Sequence, residues 1–226
     1  MVKLIRSETI KLKNKAELYA SIFFAIISVV VNYLIFNSKT KIDITSRMDV
    51  QMSFALILIS INTLFIARQA CMIEKKANMY QNILTFQKPY KLWIYKLILL
   101  VFVQFVLFVL AEIIGLFIVK QALSLNKVMI GILIHIIITT NIHMYLQSRY
   151  GDYPNIIVGV FEIILIIFST NIQMDNWYIF PCCYGYKIYE NFNSISVGKW
   201  LVVLIVVLVS VFMNILLASK SKFYNK

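Results

Sequence analysis

The stretch WIYKLILLVFVQFVLFVLAEIIGLFIV, Trp93–Val119, decides the fold. It holds a single glycine and no proline, and between Lys96 and Glu112 it carries no charge. A bilayer core of ~30 Å is crossed by about 20 helical residues, so the stretch is long enough to span it. In lipid no water satisfies backbone N–H and C=O groups, so the stretch must be helical unless protein covers it.

Five further stretches read the same way on either side of it. They are Leu18–Phe36, Met52–Ile73, Val128–Leu146, Ile156–Ile172 and Trp200–Ala218. The first is too long for the apolar core of a cleaved leader and is expected to remain as a span. The fold class predicted is all-α integral membrane, six transmembrane helices in one domain over residues 18–219. A basic interfacial helix at 1–17 precedes it and a basic tail at 220–226 follows.

Composition agrees. The 226 residues are 61% hydrophobic and 14% charged, with 6 Gly and 3 Pro, which leaves little material for a soluble domain. The net charge of +12 would suggest nucleic acid on a soluble chain. Here the positive-inside rule accounts for it and no nucleic-acid partner is expected. With the N-terminus cytoplasmic, the inner segments carry twice the Lys and Arg of the outer ones, so both termini are predicted inside. Trp93, Trp177 and Trp200 fall at or beyond predicted span ends, where an amphipathic indole anchors at the interface. Pro89, Pro154 and Pro181 all fall between predicted spans.

Residues 1–17 repeat Val2, Ile5, Thr9, Leu12 and Ala16 at three-and-four spacing among lysines, which suits a helix lying in the interface. The inner connection after the second span places Met79, Ile83 and Phe86 at four-and-three spacing, with Tyr80 and Leu84 beside them. That predicts a short amphipathic helix stopped by Pro89. The inner loop Gln147–Asn155 is read as turn-rich. The outer loop Gln173–Lys199 is crowded with aromatics, among them Trp177, Tyr178, Phe180 and Tyr184 beside Pro181. Such a loop is expected to fold back on the outer membrane face or to dip in as a re-entrant element.

Catalytic signatures are missing from the sequence. His135 and His143 are eight residues apart, ~80° out of line on a helix, unlike the two histidines of a metalloprotease helix. Neither a G-x-S-x-G nor a Walker A sequence occurs, so no nucleotide-phosphate loop is expected on this chain. The adjacent Cys182 and Cys183 would close a disulfide only with strain, and all three cysteines read as small apolar residues.

Buried charge is the more informative signal, because ionisable groups in a bilayer usually face a partner or water. Arg68 lies ~7 Å and Glu162 ~9 Å inside their predicted spans, counted at 1.5 Å per residue. The two either pair with each other or Arg68 snorkels to the interface. Glu112, toward the outer side of its span, has no evident partner. It faces either a water-filled route or a polar bundle interior.

The order of these parts is similar to a known family. The basic leader Leu4-Ile5-Arg6-Ser7-Glu8-Thr9-Ile10-Lys11-Leu12-Lys13 comes before six spans. The connection Lys76–Phe86 runs into Pro89-Tyr90-Lys91-Leu92-Trp93-Ile94-Tyr95-Lys96-Leu97, and the last outer loop holds Trp177-Tyr178-Ile179-Phe180-Pro181. The chain resembles the ABC-2 type permeases, in particular the short bacterial ones of lantibiotic immunity and antimicrobial-peptide export.

That resemblance implies a non-catalytic subunit of the bacterial plasma membrane. It would pair with a second permease copy or paralogue and with cytoplasmic ABC ATPase subunits, which hold the ATP and Mg²⁺. It implies a coupling helix at Asn78, Met79, Tyr80, Ile83, Leu84 and Phe86, an external gate at Trp177, Tyr178, Phe180, Pro181 and Tyr184, and an amphipathic peptide substrate taken through membrane lipid. Other cargo (a drug, a lipid-linked glycan, a cytolytic peptide) and a membrane interaction protein without transport stand as alternatives.

Overall fold

A computed structural model describes residues 16–37, 44–76, 89–119, 125–171 and 176–219. The described chain forms α1 (Ala16–Asn37), α2 (Ile44–Lys76), α3 (Pro89–Val119), α4 (Leu125–Tyr150), α5 (Asp152–Asn171), two 3₁₀ turns (Trp177–Ile179 and Pro181–Cys183), α6 (Tyr184–Asn191) and α7 (Val197–Ser219). All but α6 of these helices are long and apolar enough to cross a membrane, six in total. The interfacial segment up to residue 15, the coupling segment Asn78–Phe86 and the tail 220–226 lie outside the described residues.

Each predicted span falls on one of the six helices, but the ends differ. α2 begins at Ile44, well before the predicted Met52, and α3 begins at Pro89 itself. Proline suits the first turn of a helix, where its missing N–H would have no partner anyway. The same reason corrects the placing of Pro154 between spans, because it lies in the first turn of α5. The turn-rich loop Gln147–Asn155 is also corrected. Helix runs to Tyr150 and resumes at Asp152. The whole turn is Gly151, whose φ of 85° is open to glycine at no steric cost. Its N–H donates to Leu146 O and Gln147 O, both at 3.2 Å, closing the end of α4.

Six crossings place Ala16 and Ser219 on one face of the bundle; the other is the Asn37 face. α4 is the central helix, packed against α2, α3, α5, α6 and α7, while α1 packs on α2 and α3. The outer helices turn large apolar side chains outward: Phe23, Ile26 and Val30 on α1, Ile157, Phe161, Ile164 and Phe168 on α5, and Leu201, Leu204, Ile205, Leu208 and Phe212 on α7. The three-and-four spacing makes each set a continuous stripe. Apolar faces of that extent are stable against lipid and would be a liability in water.

The aromatic loop dips in. Tyr184, Gly185, Tyr186, Lys187 and Ile188 of α6 are buried, with α6 packed on α4, α2 and α5. Two glycines permit this. A Cβ on Gly131 of α4 would meet Gly185 O at 2.6 Å, and one on Gly185 would meet His135 Cβ at 2.9 Å. Gly131 and His135 are roughly 9–15 Å along α4 from its start, so α6 reaches that far into the Asn37 face.

Candidate functional site

Polar side chains meet inside the bundle at several depths. On the Asn37 face, Glu112 of α3 is 2% exposed. Ser28 Oγ donates to its Oε1 at 3.0 Å, Asn32 Nδ2 lies 3.3 and 3.4 Å from its two oxygens, and Gln51 Nε2 donates to Oε2. The side chains come from α1 and α2, so three helices converge on one carboxylate. The absence of an evident partner for Glu112, as the sequence suggested, is therefore corrected. Of the two surroundings it left open, the polar bundle interior is the one found.

Two oxygens of this cluster are left over. Asn32 Oδ1 and Gln51 Oε1 are buried without a hydrogen-bond partner. Each such group costs about 1–3 kcal/mol. Turning either amide over would set its oxygen against the carboxylate, so the unpaired oxygens follow from how the nitrogens are used.

Midway down, Gln104 of α3 ties four helices together. Its Oε1 accepts from Thr63 Oγ1 at 2.9 Å and Asn62 Nδ2 at 3.3 Å, and its Nε2 donates to Thr140 Oγ1 at 3.1 Å. Ser21 of α1 joins through Asn62. Nearby, His135 Nε2 lies 3.0 Å from Ser60 Oγ and 3.3 Å from Leu56 O, while its Nδ1 has no hydrogen-bond partner.

Toward the Ala16 face a hydrogen-bonded chain runs inward from the surface. Arg68 Nη2 is 3.2 Å from Asp152 Oδ2, both side chains being about half exposed. Asp152 Oδ1 accepts from Gln147 Nε2 at 2.6 Å, and Gln147 Oε1 accepts from Asn155 Nδ2 at 2.8 Å. Asn155 Oδ1 is 2.7 Å from His143 Nδ1, and His143 Nε2 is 2.9 Å from Glu162 Oε2. The proposed Arg68–Glu162 pair is thus not formed. Arg68 reaches instead to the exposed start of α5, the snorkelling alternative, and Glu162 takes the buried His143.

The polarity of that chain locates a proton. Asn155 spends its nitrogen on Gln147, so it presents an oxygen to His143, and Nδ1 must carry the hydrogen. His143 Nε2 then faces Glu162 Oε2 at 2.9 Å. Sequence spacing hides this pair, because its members lie on α4 and α5, brought together by the one-residue turn at Gly151.

Trp93 is another correction. It is fully buried and donates Nε1–H to Asn214 Oδ1 at 3.2 Å, joining α3 to α7 rather than anchoring at the membrane surface. Asn214 Nδ2 in turn donates to Asn141 O at 2.8 Å.

The predicted external-gate residues divide into two kinds. Trp177 and Tyr184 are buried edge to face, with ring centroids 5.7 Å apart. They pack with Ile138, Ile188 and Val203. The Tyr184 hydroxyl donates to Tyr178 O at 2.6 Å, and burial pushes its phenol up to about 12, so it stays a donor at neutral pH. Lys199 Nζ lies 5.8 Å from both the Trp177 and Tyr178 ring centroids, within cation–π reach. Phe180 is exposed, and Pro181 opens the second 3₁₀ turn. Cys182 and Cys183 are buried thiols, not joined to each other. The coupling residues Asn78, Met79, Tyr80, Ile83, Leu84 and Phe86 lie outside the described residues.

Among known proteins, no family model matches this sequence and no curated protein matches it.

Proposed function

We propose that this chain is the transmembrane permease subunit of an ATP-driven exporter of the ABC-2 type, moving amphipathic peptides out of a bacterial plasma membrane. Six membrane-competent helices are compatible with a transporter subunit. The observation that carries the reading is the re-entrant element. Trp177, Tyr184 and α6 fill one end of the bundle with aromatic side chains held by hydrogen bonds and two glycine contacts. An aromatic plug at one end, beside buried polar layers between helices, suits a path that opens to a substrate with one apolar face.

ATP and Mg²⁺ sit on a separate subunit in this reading, and Asn78–Phe86 docks on it. ATPase closure would bias the bundle between two states only through contacts that differ between them.

The test is affinity capture from detergent-solubilised native membranes, comparing wild type with Met79→Glu/Ile83→Glu/Phe86→Glu. An ATPase recovered with wild type and lost with the variant is the expected outcome. No ATPase with either chain would overturn the transporter reading in favour of a membrane interaction protein.

A further inference from the structure

We propose that Glu112, with the unpaired amide oxygens of Asn32 and Gln51, forms a buried binding site for a monovalent cation, either an alkali ion or a primary ammonium. Three observations lead there. First, Glu112 accepts from three side chains, those of Ser28, Asn32 and Gln51, and serves them only as an acceptor. Two cations described in this half of the bundle have other partners. Arg47 donates to Phe36 O at 2.8 Å, and Lys187 pairs with Glu190 at 2.7 Å. A charge at this depth needs a counter-charge.

Second, Asn32 is 1% and Gln51 5% exposed, and each holds the carboxylate through its nitrogen while its oxygen lacks a partner. Both leftovers are acceptors, and the partner they lack is electropositive. Third, the oxygens on these four side chains are one carboxylate, two amide oxygens and the Ser28 hydroxyl. Hard oxygens without thiolate or imidazole suit alkali ions or an N–H₃⁺ group. One carboxylate is neutralised by a single positive charge, whereas a divalent ion would leave a net charge buried.

Gly115 supports the arrangement one turn beyond Glu112 on α3. A Cβ there would meet Asn32 Nδ2 at 2.7 Å, so the glycine leaves the space in which Asn32 reaches the carboxylate. The site does not depend on an ATPase partner, and its test does not involve one.

The test uses the purified full-length chain in detergent, with thermal unfolding followed at constant ionic strength in NaCl, KCl, methylammonium chloride or N-methyl-D-glucamine chloride. Wild type is expected to gain about 2–4 °C or more, saturably, with a bound cation. A gain in sodium or potassium identifies an alkali ion, and a gain in methylammonium alone identifies an ammonium group. Glu112→Gln keeps shape and removes charge, so its midpoint should be the same in every salt. If that variant aggregates, Gln51→Leu and Gly115→Ala carry the test, each raising the half-saturating cation concentration several-fold. Identical wild-type midpoints in all salts would overturn the proposal, as would a full-sized gain in Glu112→Gln. So would a gain that follows only acidification, which would mean a protonated Glu112 without an ion.

Discussion

Glu162 and His143 bury two titratable groups at 2.9 Å from each other, with exposures of 6% and 0% for the two side chains. Removing one partner strands the other in a medium that cannot solvate it. His143→Ala or Glu162→Ala is therefore expected to cost about 3–5 kcal/mol, whereas the paired replacement His143→Leu/Glu162→Met should cost less, about 1–3 kcal/mol, for the Asn155 Oδ1 it leaves without His143 Nδ1. Unfolding midpoints in mixed micelles check this, with the double variant as the control. Arg68→Ala should cost under ~1 kcal/mol, because its pair with Asp152 is half exposed and screened. Equal costs for Arg68→Ala and Glu162→Ala would refute the pairing described here.

At the scale of elements, α6 owes its depth to the Gly131–Gly185 approach. Gly131→Val drives a side chain into Gly185 O, which is fixed backbone and cannot turn aside. Such overpacking costs about 1–3 kcal/mol. The strain falls on α6, an eight-residue helix, rather than on the 26-residue α4. Cys182 and Cys183 at its N-terminal end report on it, being 6% and 0% exposed. With Cys71 replaced by serine, maleimide labelling of these thiols should be slow in the parent and roughly tenfold or more faster in Gly131→Val. Unchanged labelling would mean that α6 is held by other contacts.

For the molecule as a whole, six membrane-competent helices place Asn37, Ile44, Val119 and Leu125 at the opposite end of the bundle from Lys76, Pro89 and Ser219. The Lys and Arg asymmetry of the sequence leads to the expectation that the Ala16–Ser219 face is the cytoplasmic one. Single cysteines at Ser38 and Ser124, in a background without native cysteines, should label from outside intact cells with an impermeant maleimide. Cysteines at Asn78 and Ser221 should label only after permeabilisation. The reversed pattern would invert the bundle and move the aromatic plug to the cytoplasmic face.

Six spans were legible because the apolar runs are long, and lipid allows such backbone no other form than helix. Their ends were less so, since Pro89, Pro154 and Gly151 punctuate in ways that depend on which backbone groups are already without partners. The individual importance of Glu112, Glu162 and Arg68 was also legible, because charge stands out in an apolar run. Their partners were not. Glu112 with Asn32 and Gln51, and Glu162 with His143, are contacts between helices, and an apolar helix can present any face to its neighbours at similar cost. Only the packing of α4 at the centre, and the close approach that two glycines allow to α6, selects which polar groups meet.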